Sequence, residues 1–180
     1  KNEHAEIVSL NSSVGDTLNL YVSKDFSDMS NRKRHRNRGE ITELLEIDDN
    51  IIYNGSVELN IEQADQDSFK IEVLKSSRGK TKSRAAEYAK DITYNYKING
   101  DKITFDQYLT TDLSSSIRGQ QIKITIYVPR GKSIYFSENM LRIIYDIHNY
   151  TNSLDRDMVN KIWTMTDRGF ECIGCNENDL

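Results

Sequence analysis

Hydrophobic residues recur at every second position in several short stretches of this chain, and this spacing most constrains its fold. Within 121–128 the apolar positions are Ile122, Ile124, Ile126 and Val128, with mostly polar residues between them. Successive side chains of a β-strand point to opposite faces, so the spacing predicts strands with one buried face. Three further stretches share it, with predicted buried residues Leu18, Leu20 and Val22, then Val57, Leu59 and Ile61, then Phe69, Ile71 and Val73.

Turn dipeptides and a single helical segment interrupt the predicted strands. Asn54-Gly55 and Asn99-Gly100 are strong turn signals, and Arg130-Gly131 follows the only proline. The alanine-rich stretch 81–90 predicts one short helix. A helical turn is expected over 41–47, an alternating strand around His148, and Trp163 at the end of the core.

Many short strands with narrow apolar faces predict an all-β fold. Because hydrophobic residues are 37% of the chain, a thin structure that buries its faces by stacking repeated units is favoured. We therefore predict a narrow β-solenoid, such as a right-handed β-helix, with one short helix; the alternative is a β-sandwich. Residues 1–50 are expected to supply N-terminal strands and a basic loop packed on the same solenoid, and residues 51–180 its body and a C-terminal cap.

The distribution of charge is more informative than its total. The formal net charge is -4, which argues against a general nucleic-acid binder. Residues 31–38 contain no apolar side chain, so we predict a solvated loop there, and its cations are candidates for contact with a polyanion such as lipid headgroups. These cations are Arg32, Lys33, Arg34, Arg36 and Arg38. A second basic group, Arg78, Lys80, Lys82 and Arg84, is interpreted as exposed surface.

Cys172 and Cys175 form the sharpest local motif, and several kinds of chemistry fit it. A disulfide that closes the last turn is favoured, and unreactive thiols are the next interpretation. A structural zinc ion needs four ligands, so the pair would have to recruit two of His4, His35 and His148. A redox pair is usually placed at the start of a helix that follows a strand, and no such context is visible here. No cofactor is predicted, and the sequence contains none of the common catalytic motifs.

The stretch 54–136 resembles a known family. It contains S-S-R-G-K-T-K-S-R-A-A-E-Y-A-K-D-I-T-Y-N-Y-K-I-N-G-D, and it closes with Q-I-K-I-T-I-Y-V-P-R-G. Together with the ending W-T-M-T-D-R-G-F-E-C-I-G-C, it is similar to the C-terminal extracytoplasmic domain of Bacteroidetes-type PspC-domain (phage-shock-protein-C-like) membrane proteins. More distantly it resembles the toast-rack and adhesin-like β-solenoids, which implies a toast-rack-like form as the other form that the predicted solenoid could take. The resemblance covers about two thirds of the chain and matches least over the first 50 residues.

The resemblance implies a membrane-anchored protein of the bacterial envelope with this domain on the periplasmic side of the inner membrane. The chain has no stretch of about 18 apolar residues, and it begins at Lys1, so we expect a piece of a longer protein whose membrane helices precede it. The predicted function is that of a non-catalytic structural or interaction domain, which binds an unknown envelope protein or itself and does not bind nucleic acid.

Two alternative functions remain open. An adhesin-like domain would bind a ligand or glycan through strand tyrosines, and a contiguous exposed aromatic patch would favour it. The second alternative is an enzyme that uses the two cysteines with a metal or in redox chemistry. The candidate tyrosines are Tyr94, Tyr96, Tyr127 and Tyr135.

Overall fold

The structure is a computed structural model that describes residues 2–10, 15–23, 32–37, 40–47, 50–53, 57–112 and 118–175. Within these ranges the chain is mostly β-strand with one nine-residue helix, α1 (Lys82–Lys90), a four-residue helix, α2 (Asp155–Met158), and a 3₁₀ helix (Glu138–Arg142). The strands are β1 (Asn2–Ser9), β2 (Thr17–Val22), β3 (Arg32–Asn37), β4 (Glu40–Ile47), β5 (Asn50–Tyr53), β6 (Val57–Gln63), β7 (Lys70–Ser77), β8 (Tyr96–Asn99), β9 (Lys102–Phe105), β10 (Leu109–Asp112), β11 (Gln121–Val128), β12 (Ser133–Phe136), β13 (Ile162–Thr166) and β14 (Gly169–Cys172).

Two sheets hold the core. One has four strands in the order β1-β7-β11-β6, and the other has six in the order β14-β13-β12-β2-β9-β8. Strands β11 and β6 are parallel in the first sheet, and β12, β2 and β9 are parallel in the second. The remaining pairs in both sheets are antiparallel. The prediction of an all-β chain with a short helix is confirmed, and each sheet combines the parallel pairing of a solenoid with the antiparallel pairing of a sandwich.

The period-two positions of the sequence form the core, as predicted. In the parallel pairs, Ile124 lies opposite Leu59 and Ile134 lies opposite Leu18, and all four side chains are fully buried. Burying an aliphatic side chain of this size contributes about 1.5–3 kcal/mol. Trp163 is also fully buried, so its predicted place in the core is confirmed. The first two strands pair directly with strands of the body, whereas the predicted boundary near residue 50 stays a prediction.

The predicted basic loop and the predicted helical turn are both wrong. Residues 32–37 form β3, which pairs antiparallel with β4, and residues 41–47 lie inside β4. With β5 and β10 these strands form a third sheet, ordered β10-β5-β4-β3. Backbone pairing satisfies the peptide groups whatever the side chains are, and charged residues are common on edge strands because they discourage further pairing. An absence of apolar residues therefore did not indicate a loop.

Helix α1 confirms the predicted helix almost to the residue. It begins after Thr81, whose extended backbone and side-chain oxygen cap the first turn by accepting a hydrogen bond from the Arg84 amide at 3.3 Å. Ala85 and Ala89 are its buried residues, and the helix packs across β1 and β7. Small side chains on this face allow the helix to approach the sheet closely.

The segment 143–150 closes one end of the two-sheet body. Ile144 forms a parallel bridge with Leu59 of β6, and the Tyr150 amide donates to the Phe170 carbonyl of β14 at 2.9 Å. The segment thus occupies the free edges of β6 and β14. His148 lies in this irregular segment, so the predicted alternating strand is wrong; Asp146, with φ of 49°, breaks the extended backbone two residues earlier.

Candidate interaction surface

The two-sheet body is open at the end opposite the segment 143–150. Strand β1 is the last strand of the four-stranded sheet and pairs with β7 alone, and β8 is the last strand of the six-stranded sheet and pairs with β9 alone. Within the described ranges no strand pairs with the outer edge of either. An unpaired edge presents backbone donors and acceptors to which another strand can bind. We name this end, formed by β1 and β8, the open end.

The apolar faces of the two sheets extend to the surface at the open end. Tyr96 and Ile98 share a face with the core residues Phe105 and Ile103, opposite which they lie in register. The Tyr96 ring packs on Phe105 with centroids 5.9 Å apart, and Ile98 is 40% exposed. On the other sheet, Val8 is half-buried against the core. Among the described residues, an apolar surface that is partly exposed at Ile98 is therefore continuous with the core.

The two edges of the open end carry opposite charges. Strand β1 has Glu3 and Glu6, and β8 has Lys97, all of them exposed. Burial, and then the Glu6 carboxylate, raise the pKa of Tyr96 above its ordinary value. Within the described part of the chain, none of the three charged residues forms an ion pair.

A groove of about 480 Å³ lies elsewhere, beside the 3₁₀ helix. The Asn139 amide nitrogen donates to the Val22 carbonyl at 2.6 Å, and its oxygen accepts from the Val22 amide at 3.3 Å. This pair of bonds fixes the 3₁₀ helix against β2, whose Tyr21 lines the groove with Leu141 and Arg142. The groove thus combines an aromatic ring with polar groups, which is the chemistry that a saccharide requires.

The four strand tyrosines predicted as ligand contacts do not form one patch. Tyr94 is buried and donates its hydroxyl hydrogen to the Asp106 carbonyl at 2.8 Å. Tyr127 lies on the four-stranded sheet and donates to Glu72 at 3.1 Å. Tyr135 lies on the other sheet, where its ring centroid is 6.3 Å from that of Tyr21. Sequence reasoning missed Tyr21, since only the pairing of β2 with β12 brings the two tyrosines together.

The predicted polyanion contacts of the first basic run stay a prediction. Arg32, Lys33, Arg34 and Arg36 belong to β3, but their side chains are not among those that the structure describes. Arg38 lies outside the described residues.

Cys172 and Cys175 face each other across the turn that follows β14. Their Cα atoms are 5.7 Å apart, a separation that a disulfide bond accommodates. His4 lies on β1 at the open end, whereas His148 lies in the segment beside β14, so the two histidines are at opposite ends of the body. Among the described residues, no group of three or more potential ligands is arranged to hold a metal ion.

We predict that the two cysteines are paired when the protein is made in an oxidising compartment. Titration of the denatured, non-reduced protein should then find no free thiol. Replacing both cysteines with serine should lower the free energy of unfolding by about 2 kcal/mol at most, because the closed loop is very short. Two titratable thiols accompanied by stoichiometric zinc would contradict the prediction.

Comparison with known families identifies a model that covers most of this chain. The model described as the toast-rack domain found in some PspC proteins, at their C-terminus, matches residues 45–178. Comparison with curated proteins and comparison with solved structures gave no match. The matched range includes β8 and the body of both sheets, whereas β1 and β2 precede it.

Proposed function

We propose, from the premise that this chain belongs to the family of toast-rack domains found in some PspC proteins, that it is a non-catalytic interaction domain of a membrane-anchored, stress-related envelope protein. The described residues include no helix that is long and apolar enough to cross a membrane. The proposed anchor is a set of helices in another part of the parent protein. A fold with stacked parallel strands in two layers supports a toast-rack solenoid for this domain.

We place the domain on the extracytoplasmic face of the membrane. The family supports this location, and so does the closeness of Cys172 and Cys175, because disulfides persist in oxidising compartments. The thiol titration described above bears on the same point.

The open end is the observation that carries the proposed interaction role. Solenoid-like bodies usually cap their ends, since an uncapped end exposes both strand edges and apolar core. Here the segment 143–150 occupies the strand edges at one end, whereas at the other end α1 packs on β1 and β7 but, within the described ranges, no strand pairs with the outer edge of β1 or β8. The acidic edge of β1 complements the basic edge of β8, so the partner that fits this end is a second copy of the domain.

Replacing Ile98 with lysine should prevent this self-association. The added ammonium group would lose water among the apolar side chains of the interface, and the dissociation constant should rise on the order of 100-fold. Leu141→Lys is the matched control, because Leu141 is 43% exposed and Ile98 is 40% exposed, but Leu141 lies beside the groove. Sedimentation velocity over a range of concentrations measures both variants.

Equal dissociation of the two variants, or a wild-type chain that stays monomeric at every concentration, would contradict the proposal.

The second candidate function is an adhesin-like domain that binds a saccharide, and the groove beside the 3₁₀ helix favours it. Saccharide binding that Tyr21→Ala abolishes and Ile98→Lys leaves intact would assign the function to the groove instead.

A further inference from the structure

Five cations converge at one place on the surface, beside the first residues of β1. Arg78, Lys80, Lys82 and Arg84 are exposed, and Arg118 joins them from 34 positions further along the chain than Arg84. We name this group the basic surface. Together the five carry +5 in a chain whose formal net charge is -4. Among the described residues Arg78, Lys80, Arg84 and Arg118 form no ion pair.

Backbone contacts build the basic surface. The Arg78 amide donates to the Arg118 carbonyl at 2.9 Å, which joins the end of β7 to the approach to β11. A Cβ at Gly79 would lie 2.6 Å from the Ala85 amide nitrogen, so the loop rests directly on the first turn of α1. Gly119, with φ of +60°, turns the chain beside the Arg78 side chain. Close packing therefore fixes the positions from which the cations extend.

The Arg118 side chain is also held in place. Its guanidinium carbon lies 4.0 Å from the centroid of the Tyr88 ring on α1, a cation–π arrangement. Its Nε atom is shielded from solvent and has no hydrogen-bond partner among the described residues. The half-buried guanidinium therefore contributes a positive charge in a fixed position to the basic surface.

The charge of the first turn of α1 also favours an anionic partner. Its first turn contains Lys82 and Arg84 and no acidic residue. The amino end of a helix carries partial positive charge, so cations there destabilise the helix and anions stabilise it. The exposed cations Arg78, Lys80 and Arg84 and the positive helix end would repel one another in the free protein, and an anionic partner would relieve that repulsion.

We propose that the basic surface binds the phosphate-bearing face of an anionic lipid bilayer. The inference rests on the proposed membrane anchoring, which keeps a bilayer close to the domain at all times. Long, exposed lysine and arginine side chains suit a surface of mobile headgroups. A single-stranded nucleic acid would instead need exposed aromatic rings for its bases, and Tyr88, the aromatic residue here, is half-buried under Arg118.

Binding to vesicles tests the proposal directly. The purified chain is sedimented with vesicles of phosphatidylcholine alone or of phosphatidylcholine mixed with phosphatidylglycerol. We expect binding to the mixed vesicles alone, and it should weaken as salt rises above about 0.15 M. In the triple variant Arg78→Gln, Lys80→Gln, Arg84→Gln, the apparent affinity should fall on the order of 100-fold, since each cation near an anionic surface contributes about fivefold.

A second triple variant, Arg130→Gln, Arg142→Gln, Arg156→Gln, removes the same charge elsewhere and should bind nearly as well as the wild type. The melting temperature of the first variant should stay equal to that of the wild type or rise, because cations leave the amino end of α1. Equal binding to neutral vesicles, equal losses in both variants, or binding to a soluble polyanion without binding to vesicles would each overturn the proposal. Self-association at the open end is measured separately, without lipid, so the failure of one proposal can be told from the failure of the other.

Discussion

Replacing Trp163 with alanine is expected to lower the free energy of unfolding by about 3–5 kcal/mol. Trp163 is the largest fully buried side chain in the core, where its ring packs against Phe170 with centroids 5.9 Å apart. Its Nε1 donates to the Met158 carbonyl at 3.0 Å. Alanine would leave a cavity and a buried carbonyl without its donor, and both effects destabilise the fold.

The melting temperature should fall by about 10 °C, because a chain of this length loses about 2–4 °C per kcal/mol. Ile162→Ala is the matched control, since Ile162 is the preceding residue of the same strand and 49% of its side chain is exposed. The control substitution should lower the free energy of unfolding by about 1 kcal/mol or less. Thermal or denaturant unfolding of both variants distinguishes the two sites, and a Trp163→Ala protein as stable as the control would show that Trp163 is not packed in the core.

Alternation of polar and apolar residues predicted the core strands because a strand with one buried face has an apolar residue at every second position. Strands β2, β6, β7 and β11 were all found this way. Alternation did not predict β3, because this edge strand of charged residues is stabilised by backbone pairing and has no apolar residue at alternate positions. It also failed around His148, where a positive φ at Asp146 interrupts a stretch that alternates in sequence.

The candidate surfaces were harder to predict because they depend on which strands are neighbours. The sequence does not distinguish Ile98 from a buried strand residue. It is exposed because β8 is the last strand of its sheet. Arg118 could not be assigned to the second basic group without the bond between Arg78 and Arg118 that brings it there. Contacts between residues that lie far apart in the sequence depend on the tertiary structure, and local sequence patterns do not predict them.

Reversing the charges of the open end is the second change from which we expect a large effect. Glu3→Lys with Glu6→Lys would make both edges of the open end basic, and Lys97→Glu would make both acidic. Like charges placed opposite each other across an interface cost several kcal/mol, so either change should weaken self-association on the order of 100-fold. The combination of all three substitutions makes the edges complementary again, with their signs exchanged.

Sedimentation equilibrium of the wild-type chain, the two edge variants and the combined variant is the most direct test of the claim that the open end binds a second copy. We expect the wild type to associate, both edge variants to be largely monomeric, and the combined variant to regain an affinity within about tenfold of the wild type. Association that persists in both edge variants, or that the combined variant fails to recover while it remains folded, would contradict the claim.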